Sequence, residues 1–304
     1  MANSIVILGG TGFIGHNLCR LFLDRGFSVS SISLTPSLMP VPFVQYHYLD
    51  IRESDRLTDH FSEYEYDYIV NCSGYIQHLT PHDPSFVDLI STHLTSLYAL
   101  VAQLSNSARL KRYIHIGSSD EYGSNPSPQS ETMRELPFTA YSYSKVAATH
   151  FLQMAHTSCS LPVTIIRPFL LYGPGMSKTR FLGHLIDSLQ SGQEVRLSPG
   201  FQVRDFLHVH DFFDLVLEVL SNDSCSGLIL NAGSGSPVTI RDVALKVHSS
   251  IKSGSLSFGA LPYRSNENLF LYPSMERVFS LLEWRPKITL DAGLSDLVSS
   301  FRNA

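Results

Sequence analysis

Short apolar runs alternate with helical repeats along the first two thirds of the chain. The apolar runs predict six strands, namely Ser4–Leu8, Ser28–Ser33, Val44–Tyr48, Tyr68–Cys72, Arg112–Gly117 and Val163–Arg167. Apolar residues at helical spacing predict the helices Gly12–Arg25, Ser54–Glu63, Pro84–Ser105, Ala140–Thr157 and Arg180–Ser191. This alternation predicts an α/β fold with a doubly wound parallel sheet that helices cover on both faces.

A glycine-rich loop follows the first predicted strand and opens the first predicted helix. Gly9, Gly12 and Gly15 have the spacing typical of dinucleotide binding. The first glycine permits a tight turn, the second lets a pyrophosphate approach the backbone, and the third lets the helix pack closely on the strand. We therefore predict a Rossmann-type domain in which Phe13 and Ile14 also contact the cofactor.

The pattern loosens after about Gly173, where short strands and loops surround two helical candidates, Phe212–Leu220 and Ile240–Ile251. This change predicts a smaller C-terminal substrate-binding lobe. We place the dinucleotide-binding domain at 1–172 and the lobe at 173–304, with the lobe interleaved with the first domain.

A tyrosine and a lysine four residues apart open the predicted helix Ala140–Thr157. This spacing puts Tyr141 and Lys145 on one helix face. A free phenol has a pKa of about 10. A nearby ammonium lowers that pKa, so the tyrosine can exchange a proton with a carbonyl or an alcohol near neutral pH. The pair alone is a weak signal, but together with the glycine loop it favours a catalytic role.

These two motifs resemble those of the extended short-chain dehydrogenase/reductase, or NAD-dependent epimerase/dehydratase, family. Further segments resemble this family in the same order: Gly117–Gly123, Ile165–Pro168, Tyr172–Gly175, Val203–Asp211, Phe258–Arg264 and Leu282–Lys287. The resemblance implies an NAD(P)-dependent oxidoreductase with Ser118, Tyr141 and Lys145 as catalytic residues. It also implies that Pro168 lies beside the nicotinamide.

The end of the second predicted strand bears on the choice of cofactor. NAD-specific proteins of this fold carry an acidic residue there, but Ser30–Ser37 contains no carboxylate. We therefore favour NADP(H), with Ser33 near the 2′-phosphate, and NAD(H) stays possible. No arginine lies in this stretch, so Arg20 or Arg52 would have to supply the positive charge. The resemblance implies that Asp50 and Ile51 contact the adenine.

The serine segment bears on the type of reaction. The resemblance places Ser119 and Asp120 where nucleotide-sugar 4,6-dehydratases carry an aspartate and a glutamate that eliminate water. The segment looks closer to the 4-ketoreductases, so we predict NADPH-dependent reduction of a 4-keto-6-deoxy nucleotide sugar in deoxysugar biosynthesis. The main alternative is a nucleotide-sugar 4-epimerase that retains NAD, and weaker alternatives are a 4,6-dehydratase and a non-catalytic NADP sensor.

The resemblance also implies which residues bind the substrate. They are Ser118, Ser119, Tyr141, Arg180, Arg204 and Arg264. Arginine suits the diphosphate because a guanidinium pairs with phosphate oxygens in a bidentate manner. One departure is His93, which stands where the family usually has an asparagine that feeds a proton relay.

Composition narrows the remaining classes of function. The net charge of −5 comes without a basic stripe, and no apolar run approaches the length of a membrane span, so we expect neither nucleic-acid nor membrane binding. The four cysteines are scattered, which favours a reducing, cytoplasmic setting. His78 and His82 are the only histidine pair at helical spacing near a glycine-rich strand end, but Pro81 lies between them, so we expect no metal site. Apolar residues on more than one face of Pro84–Ser105 and Ala140–Thr157 predict a homodimer.

Overall fold

The computed structural model describes residues 2–76, 83–105, 107–263 and 267–302. Its strands are β1 (Ser4–Leu8), β2 (Ser28–Ser33), β3 (Gln45–Tyr48), β4 (Tyr68–Asn71), β5 (Arg112–Ile116), β6 (Val163–Pro168), β7 (Leu170–Tyr172), β8 (Glu194–Leu197), β9 (Val203–Arg204), β10 (Phe206–His208), β11 (Ile229–Ala232), β12 (Val238–Thr239), β13 (Ser255–Phe258) and β14 (Phe270–Leu271). Its α-helices are α1 (Phe13–Asp24), α2 (Ser54–Glu63), α3 (Phe86–Ile90), α4 (Ser96–Leu104), α5 (Ala140–Cys159), α6 (Phe181–Gln190), α7 (Val209–Ser221), α8 (Ile240–Ile251), α9 (Glu276–Leu281) and α10 (Leu290–Arg302).

The main sheet has seven strands in the order β11-β6-β5-β4-β1-β2-β3. Every neighbouring pair from β6 to β3 runs parallel. The chain starts at β1 in the middle and reaches β2 and β4 on opposite sides, which is the doubly wound arrangement. Ligands of such sheets bind beyond the carboxyl ends of the strands, where the strand order reverses. The predicted fold is therefore confirmed.

The sheet is buried on both faces, as near-continuous apolar strands require. Ile5, Val6 and Ile7 are fully buried on β1, and Val163, Ile165 and Ile166 are fully buried on β6. Leucines and alanines from α4 and α5 complete this core. Removing this apolar surface from water is the main favourable contribution to folding.

The chain forms two compact units. The first comprises Met1–Ser124, Arg134–Arg167 and Val216–Leu230, and the second comprises Asn125–Met133, Pro168–Leu215 and Asn231–Ala304. Their boundaries differ from a single division after residue 172, because one short segment of each unit comes from the other half of the chain. The proposed domain limits of 1–172 and 173–304 stay a prediction.

The second unit has its own core and its own small sheets. Strands β8 and β13 pair in parallel, β7 pairs with β10, and β9 lies between β12 and β14. Helices α6, α8 and α10 pack through a shared apolar cluster, which includes Leu185, Val247 and Leu297. The helical spacing of the sequence predicted α6 and α8, whereas α10 was not predicted.

Two further elements differ from the prediction within the part of the chain that the structure describes. Strand β11 joins the edge of the main sheet, although its short apolar run lies in the region that was assigned to the lobe. The predicted helix Pro84–Ser105 is interrupted by a π-helical turn, Ser91–Thr95, between α3 and α4. A π turn holds one more residue than an α-helical turn and occurs frequently at functional sites.

The apolar residues of α4 serve mainly the core of this chain. Leu97, Leu100 and Val101 are buried in the first unit. Tyr98, by contrast, is 70% exposed, and Val87 on α3 is 69% exposed. A subunit contact through these helices would therefore use Val87 and Tyr98 rather than Leu97. No helix among the described residues has both the length and the hydropathy to cross a bilayer.

Candidate active site

The glycine loop connects β1 to α1 at the carboxyl edge of the sheet. Gly9 has a positive φ of 84°, and its amide donates to the carbonyl of Ile32 at 2.7 Å. A Cβ atom at Gly15 would overlap the carbonyl oxygen of Gly9, whereas one at Gly12 would meet only that oxygen, at 3.4 Å. The loop is thus closed on the protein side and open on the other, beside the amides that begin α1. Such a cradle fits a dinucleotide pyrophosphate.

The end of β2 contacts this loop directly. Ser33 is buried, and its hydroxyl accepts the amide hydrogen of Thr11 at 3.2 Å. Leu34, the next residue, is 64% exposed, and Arg20 is exposed on α1. Ser33 therefore helps to hold the glycine loop, in addition to the cofactor contact expected from the sequence.

Asp50 and Ile51 follow β3, and Asp50 already has a partner. The guanidinium of Arg52 lies 2.6 Å from its carboxylate, and the Arg52 amide donates to the same group at 2.9 Å. The hydrogen bonds from Arg52 hold the pKa of Asp50 below its ordinary value. Contact with an adenine would have to share or replace this pairing, and an Arg52 side chain paired in this way is a weak candidate for a 2′-phosphate ligand.

Helix α5 carries Tyr141 and Lys145 on its buried side. A capping box fixes its first turn, because the Thr139 hydroxyl accepts the Ser142 amide at 3.1 Å and the Ser142 hydroxyl accepts the Thr139 amide at 3.0 Å. Lys145 Nζ donates to the carbonyl of Ile116 at 3.0 Å. Burial lowers the pKa of Lys145 to about 8, although the carboxylate of Glu121 acts in the opposite direction.

Ser118 lies two residues beyond Ile116, at the start of the 3₁₀ turn Ser119–Tyr122. Its hydroxyl oxygen accepts the amide hydrogen of Asp120 at 3.1 Å. The hydroxyl hydrogen is then available for a substrate oxygen. Ser119 is buried in the same turn. The bond from Lys145 to Ile116 thus connects the helix of the tyrosine and lysine to the strand that carries the serine turn.

The π turn places His93 against helix α5. Its Nδ1 lies 2.8 Å from the Ser144 hydroxyl, which donates to the carbonyl of Tyr141 at 2.7 Å. The two rings of His93 and Tyr141 meet edge to face at 5.7 Å. Burial, and then the charge of Lys145, lower the pKa of His93 to about 2, so this imidazole is neutral. The sequence singled out the position of His93 but not this contact.

Two charged residues beneath the site were not assigned from the sequence. Glu121 and Arg167 are fully buried, with a carboxylate oxygen 2.7 Å from the guanidinium. The side-chain contacts of Glu121 reach both the serine turn and helix α5. The available sequence signal was an acidic residue within the serine segment Gly117–Gly123, and the sequence alone does not distinguish a buried side chain from an exposed one.

Comparison with known proteins identifies the family. A model of the NAD dependent epimerase/dehydratase family matches residues 5–233, most of the chain. The chain belongs to this family. Members of the family are NAD(P)-dependent enzymes that modify nucleotide sugars, so the family and the enzyme class predicted from the sequence are confirmed.

The relatives include several kinds of epimerase/dehydratase family enzyme. The chain is 28% identical to dTDP-6-deoxy-L-talose 4-dehydrogenase (NAD(P)(+)) of Kitasatospora kifunensis, over 78% of this chain and 76% of that protein. It is 26% identical to GDP-6-deoxy-D-mannose reductase of Pseudomonas aeruginosa, over 100% and 98%. Its fold matches UDP-glucuronic acid 4-epimerase from Bacillus cereus, in complex with UDP-glucuronic acid and NAD, with a TM-score of 0.88, 21% identity and 99% of both chains covered.

The other predicted ligands of this epimerase/dehydratase family member lie in the second unit or outside the described residues. Pro168 ends β6, and Arg180 is exposed immediately before α6. Arg204 on β9 is mostly buried and forms an ion pair with Glu267 at 2.6 Å, so a diphosphate would have to compete with this carboxylate. Arg264 lies outside the described residues, as do His78 and His82. The described residues contain no group of three histidine, cysteine or acidic side chains placed to hold a metal ion.

Proposed function

We propose that this protein reduces a 4-keto-6-deoxy nucleotide sugar with NADPH. The observation that supports the proposal is the serine turn, where Ser118 begins the turn and Ser119 is buried. The family resemblance aligns Ser119 with the aspartate of the dehydratases. Elimination of water needs an acid and a base on the sugar, whereas reduction needs only one proton donor at the carbonyl oxygen. Two of the curated relatives, a reductase and a 4-dehydrogenase, have names that support the same chemistry.

In the proposed reaction, the bound cofactor supplies a hydride to the carbonyl carbon. Tyr141 donates its phenolic proton to the carbonyl oxygen as negative charge develops there. The Lys145 ammonium, one helical turn further along α5, stabilises the phenolate that remains. Ser118 donates its hydroxyl hydrogen to the same substrate oxygen and stabilises the developing charge.

We further propose that NADP(H) is preferred over NAD(H). The end of β2 and the loop that follows it, through Ser37, carry no carboxylate that would repel a 2′-phosphate. A counter-charge from Arg20 is compatible with its exposed position on α1. NAD(H) is the alternative, and the solved epimerase with the similar fold is in complex with NAD.

A nucleotide-sugar 4-epimerase is the second candidate, because it would use the same tyrosine, lysine and serine. Such an enzyme retains NAD through the catalytic cycle, whereas a reductase exchanges its cofactor at every turnover. Purified protein that retains NAD after extensive dialysis, and that interconverts epimers without added cofactor, would favour the epimerase.

The decisive experiment is a substrate panel. 4-Keto-6-deoxy sugars attached to GDP, CDP, dTDP and UDP are incubated with the protein, and the consumption of NADPH is followed. We expect sustained NADPH oxidation with at least one carrier and formation of the 4-hydroxy product. No oxidation with any member of the panel would refute the reductase proposal. A cytoplasmic location and a homodimer stay predictions that accompany it.

A further inference from the structure

Glu121 is fully buried and lies at the centre of a hydrogen-bond network in the first unit. One carboxylate oxygen accepts the Ser118 amide at 2.8 Å. The other accepts the Thr149 hydroxyl at 2.7 Å and Arg167 Nε at 2.9 Å. Thr149 lies four residues after Lys145 on α5, so this single side chain connects the serine turn to the helix that carries the lysine.

The charge of Arg167 has a second carboxylate partner besides Glu121. The Arg167 guanidinium also pairs with Glu135 at 2.6 Å, and it lies over the ring of Tyr122 at 4.6 Å. The network therefore contains two carboxylates for one guanidinium. Besides Arg167, the charge of Glu121 acts on Lys145, whose ammonium it stabilises. Arg112, which is also buried in this unit, pairs with Asp223 instead. With Lys145 included, two cations match the two carboxylates of this network.

The chain leaves room for the carboxylate next to the serine. A Cβ atom at Gly117 would approach a carboxylate oxygen of Glu121 to 2.5 Å, so the residue before Ser118 has to be small. A buried ion pair is often replaceable by apolar residues without loss of stability, so stability alone does not explain why a carboxylate stands here. The contacts of Glu121 to the Ser118 amide and to α5 indicate instead that the carboxylate serves the candidate active site.

We propose that Glu121 is a positioning residue that holds the Ser118 turn on α5 and supplies a buried negative charge that acts on Lys145. The functional part of this inference rests on the roles proposed above for Ser118 and Lys145. It adds that a side chain which touches neither substrate nor cofactor acts on both the serine turn and the lysine.

Several other groups face these two residues. Toward Lys145, Cys72 comes from the end of β4, His93 from the π turn and His115 from β5. Burial keeps both imidazoles neutral and raises the pKa of the Cys72 thiol to about 12, so at neutral pH none of the three carries a full charge. Asp120, whose amide donates to the Ser118 hydroxyl, is the acidic neighbour of Glu121 in its own turn.

One further titratable group, His150, lies beyond Arg167 on the side of Glu135. His150 on α5 is exposed and lies 3.2 Å from the Glu135 carboxylate. Glu121 thus acts on both Lys145 and Arg167, whereas Glu135 pairs with Arg167.

The test is an NMR pH titration of lysine side chains in isotope-labelled protein, with the Lys145 signal assigned by Lys145→Met. The variant Glu121→Gln keeps the shape of the side chain and removes its charge. We expect the titration midpoint of Lys145 to fall by about 1 pH unit, at the lower end of the effect of a nearby opposite charge. The matched control, Glu135→Gln, removes the other carboxylate of Arg167 and should leave the midpoint of Lys145 unchanged.

An equal midpoint in wild type and Glu121→Gln, or an equal fall in both variants, would overturn the proposal. This titration needs no substrate, so its outcome is independent of whether the reductase assignment is correct. If Glu121→Gln does not fold, Glu121→Asp provides the second test, because it keeps the charge but is too short to bridge Ser118 and Thr149. We then expect kcat to fall at least about tenfold while Lys145 titrates near its wild-type midpoint, and an unchanged kcat would contradict the positioning role.

Discussion

Two alanine substitutions in the glycine loop should affect different properties of the protein. Gly15→Ala should lower the stability of the fold, whereas Gly12→Ala should weaken cofactor binding. At Gly15, the added methyl group would overlap the Gly9 carbonyl oxygen and lie 2.7 Å from Gly10 Cα, both of which are backbone atoms. Helix α1 or the loop must therefore move, and overpacking of this kind costs about 1–3 kcal/mol. At Gly12, the backbone has a φ of −80° and the methyl group would meet only one atom, at 3.4 Å. Gly12→Ala should cost less than about 1 kcal/mol, in the range of a changed helix N-cap.

Cofactor affinity should separate the same two variants from each other. Gly12→Ala directs its methyl group into the open side of the loop and should weaken NADPH binding at least about tenfold, which corresponds to about 1.4 kcal/mol. Unfolding in urea should be followed by circular dichroism, because the only tryptophan, Trp284, lies in the second unit. Fluorescence of bound NADPH measures the affinity. A Gly15→Ala protein as stable as wild type, or a Gly12→Ala protein with normal affinity, would refute this account of the loop.

Three further predictions concern the cofactor, pH and assembly. Ser33→Asp should shift preference toward NADH through repulsion of the 2′-phosphate, and dissociation constants for both cofactors measure it; a clear preference of the wild type for NADH would contradict the premise. Burial alone would raise the pKa of Asp67, but hydrogen bonds from Ser4, Lys111 and Arg109 hold that pKa below its usual range. The resulting stability is present above the unfolded-state pKa of about 4 and is lost as pH falls through the folded-state pKa. Asp67→Asn should therefore be less stable than wild type at pH 7 and should approach the stability of wild type in acid. Urea unfolding at several pH values measures this difference. Tyr98→Glu should weaken a homodimer in sedimentation equilibrium without unfolding the subunit, whereas Leu97→Glu should unfold it; a wild-type protein that is monomeric at micromolar concentration would rule out the dimer.

The sequence was most informative where local pattern and chemistry coincide. The apolar run of β1, the glycines and the periodicity of α1 each predict the same strand–loop–helix unit, and the structure contains that unit. Strand β11 was missed because its four residues follow a loop in a region of weak periodicity, and its place at the sheet edge depends on a distant pairing. The π turn was missed because apolar spacing hardly distinguishes it from an α-helix.

The partners of charged residues were the least predictable part of the candidate site. Glu121 and Arg167 are 46 positions apart in the sequence, and Arg204 and Glu267 are 63 apart. Nothing in the local pattern indicates that these side chains meet. Arg204 was read as a candidate diphosphate ligand because an arginine suits phosphate, yet its carboxylate partner is visible only in the folded chain. Composition and spacing predict which chemistry is available, whereas tertiary contacts determine which groups are already paired.

The most direct test of the central claim compares wild type with Tyr141→Phe in the NADPH oxidation assay on 4-keto-6-deoxy nucleotide sugars. The substitution removes one hydroxyl from a buried side chain, and cofactor binding together with circular dichroism verifies that the fold is retained. The proposed mechanism predicts sustained turnover by wild type and a loss of about 10²–10⁴-fold in kcat for the variant, the usual contribution of a general acid. Wild-type turnover in a folded Tyr141→Phe protein would contradict the account.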